Sequence, residues 1–143
     1  MIYLGADHRG FQLKEEIKKY LKNLGQAFED LGNKKFDPRD DYPDFAKRVA
    51  KAVSRFPKNK GILICGSGIG MSIVANRFKK VRAALCLNER MAELSRRHNN
   101  ANVLCLAADI VALEKAKKII KIWLETKFSK EKKHQRRIRK ING

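Results

Sequence analysis

The chain has 143 residues, a size that suits one compact domain and argues against two. Hydrophobic residues make up 43%, enough for a core, which excludes wholesale disorder. The 33 Lys and Arg against 15 Asp and Glu leave a formal charge of +18, and no stretch approaches the roughly 18–20 apolar residues of a membrane span.

Strand and helix patterns alternate from end to end. Residues 1–6 form a short apolar run, and Leu13, Ile17, Tyr20, Leu21 and Leu24 then recur at the helical period. Gly25 stands where a helix C-cap glycine belongs. Residues 27–31 read as a weaker second strand, and 33–43, with two prolines and four Asp or Asn, as a polar loop. Pro43 and Asp44 open a helix carrying Phe45, Val49, Ala52 and Val53, which Pro57 stops. Residues 61–65 are a continuous apolar run, as in a strand buried on both faces of a parallel sheet. A glycine-rich turn leads into a helix with Met71, Val74, Ala75 and Phe78. Residues 83–87 and 103–107 read as the fourth and fifth strands, with a helix from Asn88 to about His98 between them. Leu113, Ala116, Ile120, Trp123 and Leu124 mark a long amphipathic helix, and a basic tail predicts a last helix over about 129–141. The whole predicts a single domain over residues 1–143. Its class is α/β, a layered fold on a five-stranded, mostly parallel sheet.

Ligands of such folds bind beyond the carboxyl ends of the strands. That rule selects Asp7 and His8, Cys65 to Ser67, Asn88 and Glu89, and Ala108 and Asp109. The most informative stretch is Cys65-Gly66-Ser67-Gly68-Ile69-Gly70. Its glycines allow a tight turn, and its free N–H groups suit a phosphate or an enediolate oxygen. The spacing is not that of a dinucleotide fingerprint, and the lysine of a P-loop is missing. Cys65, at the lip of this turn, is either a buried strand thiol or a thiol activated by the following helix. Cys86 and Cys105 read as inert thiols inside strands. Three cysteines in apolar runs form no disulfide framework, and no zinc spacing occurs, so no metal is expected. His98 falls at a helix end before the fifth strand, and two of the three histidines, His8 and His98, are expected near one sheet edge with Cys65. Together they make an acid/base set beside a phosphate cradle. His134 reads as a surface residue of the tail.

The charge fits either a nucleic-acid binder or an enzyme that attracts anionic substrates. Eight Lys and Arg fall in residues 127–140 against Glu131 alone, yet no aromatic platform lies among them apart from Phe128 at the start. The sequence therefore argues against a nucleic-acid partner. The first residues carry no basic segment followed by a long apolar stretch, so no secretory leader is expected, and the sequence predicts a cytoplasmic protein with no membrane partner.

Four stretches in order, residues 5–11, 41–43, 64–70 and 95–99, resemble the ribose-5-phosphate isomerase B family, which includes galactose-6-phosphate isomerase subunits. The resemblance spans residues 1–141. It implies a Rossmann-like three-layer sandwich, a homodimer or dimer of dimers with sites at the subunit interface, a sugar-phosphate substrate and no cofactor. The implied reaction interconverts ribose 5-phosphate and ribulose 5-phosphate through an enediolate. The alternative is a six-carbon sugar phosphate, allose or galactose 6-phosphate, or a non-catalytic subunit. By the same resemblance Cys65 is the base, His98 the acid that opens the furanose ring, and Ser67 a hydroxyl serving O1 and O2. Asp7, His8 and Asn99 are substrate contacts, with Tyr42 a lining residue and Gly66, Gly68, Ile69 and Gly70 the oxyanion cradle. Lys133 and Arg137 match phosphate ligands. Two positions depart from the family: Asp109 stands where an Arg is common, and Lys133 replaces an Arg. Either the tail cations, together with Arg9, offset Asp109, or the substrate differs.

Overall fold

A computed structural model describes residues 1–141. The expected alternation appears as β1 (Ile2–Ala6), α1 (Phe11–Asn23), β2 (Phe28–Asp30), α2 (Tyr42–Arg55), β3 (Lys60–Cys65) and α3 (Ile69–Ala75). It continues as β4 (Ala83–Leu85), α4 (Glu89–Arg97), β5 (Val103–Ala107), α5 (Leu113–Glu125) and α6 (Lys132–Ile141). All strand pairs are parallel, in the order β2-β1-β3-β5-β4. Among the described residues no helix is long and apolar enough to cross a membrane.

Side-chain alternation along the strands builds the three layers. Leu4 of β1, Ile62 and Ile64 of β3 and Leu104 and Leu106 of β5 face one way, against Ile17 and Leu21 of α1 and Ile119, Ile120 and Trp123 of α5. Leu63 and Cys65 of β3 and Val103 and Cys105 of β5 face the other way, against Phe45, Val49 and Val53 of α2 and Met71 of α3. The Rossmann-like sandwich is thus the observed fold. Lys14, fully buried on α1, is held by Asp30 at 2.7 and 2.8 Å and by the Asn33 carbonyl at 2.6 Å, so its charge is paired where it is desolvated.

Several boundaries differ from the sequence reading. β4 ends at Leu85, so Cys86 lies just past the strand and not inside it. This edge strand pairs only with β5, and Asn88 accepts the Met91 N–H at 2.8 Å as the N-cap of α4, which leaves no room for a longer strand. α3 stops at Ala75, with Phe78 in the turn beyond. The last helix starts at Lys132 because the Ser129 N–H is tied to the Arg97 carbonyl at the end of α4 and Lys130 adopts a positive φ.

Gly10 joins β1 to α1, and a Cβ there would land on the Ile64 backbone carbonyl of β3. Gly10→Ala should cost about 1–3 kcal/mol through this overlap. Urea denaturation would read that as a lower midpoint; an unchanged midpoint would contradict the packing.

Candidate active site

The carboxyl ends of β1, β3 and β5 lie side by side, and the chain leaves them in opposite directions between β1 and β3. A cavity of about 490 Å³ opens there. Asp7 from the end of β1, the Cys65–Ser67 turn after β3 and Asp109 after β5 all line it, as the strand-end rule anticipates. Tyr42, Ile69, Gly70 and Ile73 complete its apolar side, with Arg9 at its mouth. The Tyr42 ring lies over Gly70, where any larger side chain would overlap it. Asn88, also selected by strand position, does not reach the cavity because its side chain caps α4.

The glycine turn is organised by its own amides. Gly68 has φ +72°, which a side chain would strain, and its N–H donates to Cys65 Sγ at 3.1 Å. The Ile69 N–H donates to Ser67 Oγ at 3.2 Å. Two members of the expected cradle, Gly68 and Ile69, therefore have their amides engaged within the turn. Among the described residues the amides of Ser67 and Gly70 have no such partner and are free to meet a ligand. Gly68 itself does not line the cavity.

Cys65 is 5% exposed and lines the cavity. Cys86 and Cys105 lie in the core, where burial pushes the Cys86 thiol up to about 11 and the Cys105 thiol higher still. Those environments suit inert thiols and leave Cys65 as the one of the three that a ligand can meet.

Asp7 is buried, and its carboxylate accepts from the backbone N–H groups of Arg9 and Gly10. Desolvation raises its pKa, and these hydrogen bonds oppose the rise. His8 turns away toward Asp40, with its Nδ1 at 2.7 Å from the carboxylate, and that hydrogen bond raises the His8 pKa. His8 lines a neighbouring cavity with Phe11 and Phe36. Ligand atoms of Asp7, His8 and Asp40 lie within 4.8 Å of one another and could hold a cation, although hydrogen bonds among themselves and to the backbone already engage them.

His98 does not join Cys65. It caps α4 at the start of β5, and Val103 of β5 pairs with Gly61, while Cys65 pairs with Ala107. The two residues thus sit at opposite ends of the sheet, separated by at least about 13 Å of strand. The expectation of one shared edge fails because α4 runs back against the strands before β5 begins. His98 stacks instead on His134, with ring centroids 4.3 Å apart and planes at 16°. His134 is 7% exposed, not a surface residue, and lost hydration together with the neighbouring His98 lowers its pKa. Its helix, α6, also carries Lys133 and Arg137, both exposed, and Asn99 follows His98. The predicted site residues therefore form two half-sites. One is at the carboxyl end of the sheet, around Cys65. The other is at the amino end, around His98.

Of the cations expected to offset Asp109, Arg9 is the one that meets it, in the wall of the cavity. Its Nε and Nη2 donate to Asp109 Oδ2 at 3.0 and 2.6 Å. The opposite charges at strand ends were visible, but the pairing needs the adjacency of β1, β3 and β5.

The chain matches the Ribose/Galactose Isomerase family over residues 2–141. It is 45% identical over 141 residues to a probable ribose-5-phosphate isomerase B of Mycoplasma genitalium, covering 98% of this chain and 92% of the relative. It is 43% identical over 142 residues to ribose-5-phosphate isomerase B of Escherichia coli, covering 99% and 94%. A crystal structure of ribose-5-phosphate isomerase B from Mycoplasma genitalium with bound ribulose 5-phosphate superposes with a TM-score of 0.95 at 44% identity, covering 99% of this chain and 93% of that one.

Proposed function

The chain belongs to the ribose/galactose isomerase family, and from that premise we propose that it interconverts ribose 5-phosphate and ribulose 5-phosphate. The observation that carries the reading is the Cys65 thiol facing a cavity beside free backbone amides, in a chain this similar to a protein crystallised with ribulose 5-phosphate.

In the aldose-to-ketose direction the Cys65 thiolate takes the proton from C2. The electron pair left on C2 forms the C1–C2 double bond of an enediolate, and negative charge develops on O1. The Ser67 and Gly70 amides stabilise that charge, in place before the reaction begins. Ser67 Oγ moves a proton between O2 and O1, and the Cys65 thiol returns its proton to C1. The carbonyl has then moved from C1 to C2, with atoms and charge conserved. His98 gives a proton to the ring oxygen as its bond to C1 breaks and opens the furanose, while the C1 hydroxyl loses its proton to water and becomes the carbonyl; Asp7, His8, Asn99 and Tyr42 position the sugar. Lys133 and Arg137 hold the phosphate, drawn in by the +18 charge.

The two half-sites are complete only if His98, Asn99, Lys133 and Arg137 come from a second copy. Ile69 and Ile73, 53% and 60% exposed at the cavity rim, offer an apolar surface for that copy. The functional unit is therefore a homodimer, or a dimer of dimers, of single-domain chains acting in the cytoplasm.

Purified protein with no metal added should form ribulose 5-phosphate from ribose 5-phosphate. A folded dimer with no such turnover, active instead on allose or galactose 6-phosphate, would overturn the pentose assignment.

A further inference from the structure

We propose that Arg9, held across Gly66 by Asp109, is the phosphate contact that each chain contributes to its own Cys65 cavity. This rests on the sugar-phosphate reading above. Arg9 leaves the end of β1 and Asp109 the end of β5, and β3 runs between them. Their side chains meet above the end of β3, over Gly66. A Cβ on Gly66 would lie 2.6 Å from Asp109 Oδ2 and 2.8 Å from Arg9 Nε, so only glycine lets the pair lie this close to the cradle.

Arg9 is the single cation among the residues lining the cavity, and the other charged residues there are two carboxylates, Asp7 and Asp109. Without Arg9 the cavity wall would repel a phosphate dianion. Both hydrogen bonds to Asp109 end on Oδ2 and use Nε and Nη2. Of the five guanidinium N–H groups, both on Nη1 and the second on Nη2 are left for a ligand. The side chain is 59% exposed, so it meets the cavity without moving the core. An ion pair this exposed adds little to folding, which points to a role in the site and not in stability. The planar fork suits a phosphate, and the Asp109 contact fixes the plane in which it is presented. Asp109, the position of reversed sign, is thereby neutralised within its own chain.

The test compares wild type with Arg9→Met and Arg9→Lys. The readouts are steady-state kinetics on ribose 5-phosphate and calorimetric binding of inorganic phosphate. Arg9→Met should raise KM and the phosphate Kd together, each by about tenfold or more, with kcat within about threefold; Arg9→Lys should fall between. Unchanged KM and phosphate binding, or a loss confined to kcat, would overturn the assignment. Wild type that binds phosphate through Arg9 but does not turn over ribose 5-phosphate would retain this inference and remove the isomerase reading. Wild type that binds no phosphate at all would overturn the inference.

Discussion

Cys65→Ala should lose about 10²–10⁴-fold in turnover of ribose 5-phosphate, the span expected when a proton-transferring group is removed. The loss should fall on kcat, because the cavity walls that hold the sugar remain. Cys65 is nearly buried and its sulfur accepts the Gly68 N–H, so the substitution also leaves a small void and an unpaired amide. That costs about 1–3 kcal/mol of stability, short of unfolding the chain. Cys65→Ser separates the two effects: its hydroxyl can still accept from Gly68, yet a hydroxyl is a far weaker base than a thiolate. Serine should restore the melting temperature and leave activity low. Near-normal turnover in either variant would remove Cys65 from the chemistry.

The second large effect tests the two half-sites. His98→Asn alone should be nearly inactive on the cyclic aldose. An equal mixture of Cys65→Ser and His98→Asn chains, unfolded and refolded together, should regain about a quarter of wild-type activity. Random pairing makes half the dimers mixed, and each mixed dimer has one site with both residues intact. A mixture no more active than its separate components, with subunit exchange shown by native mass spectrometry, would rule out a site shared between chains. Residues at opposite ends of one sheet cannot act on one small sugar within a single chain, so recovery has no other simple source.

The elements near the cavity were the most legible from sequence. The 61–65 run has no polar break, and only a central strand covered on both faces tolerates that, so β3 and the turn after it were readable locally. Asp7 and Ser67 line the cavity as expected because parallel strands bring their carboxyl ends to one edge, and Tyr42, expected from the family resemblance, reaches it from the start of α2. β4 was read too long because Cys86 and Leu87 are apolar; the strand's end is set by the Asn88 cap and by pairing on one side only.

His134 shows where local reading stops. In sequence it lies among lysines and arginines, and its burial comes from α6 folding back over the end of α4. His98 was found, but its place was not, because distance across a sheet depends on which way the intervening helix runs. The sequence by itself determined the α/β class, the order of elements and the glycine turn, and it singled out Cys65 and His98 as candidates for the chemistry. These follow from hydrophobic period and residue chemistry, which act over a few neighbours. Tertiary structure alone decided that Cys65 and His98 face opposite ends, that His134 is buried against His98, and that Arg9 and Asp109 meet over Gly66. Those facts depend on strand order and helix direction, which bring together residues as many as 100 positions apart.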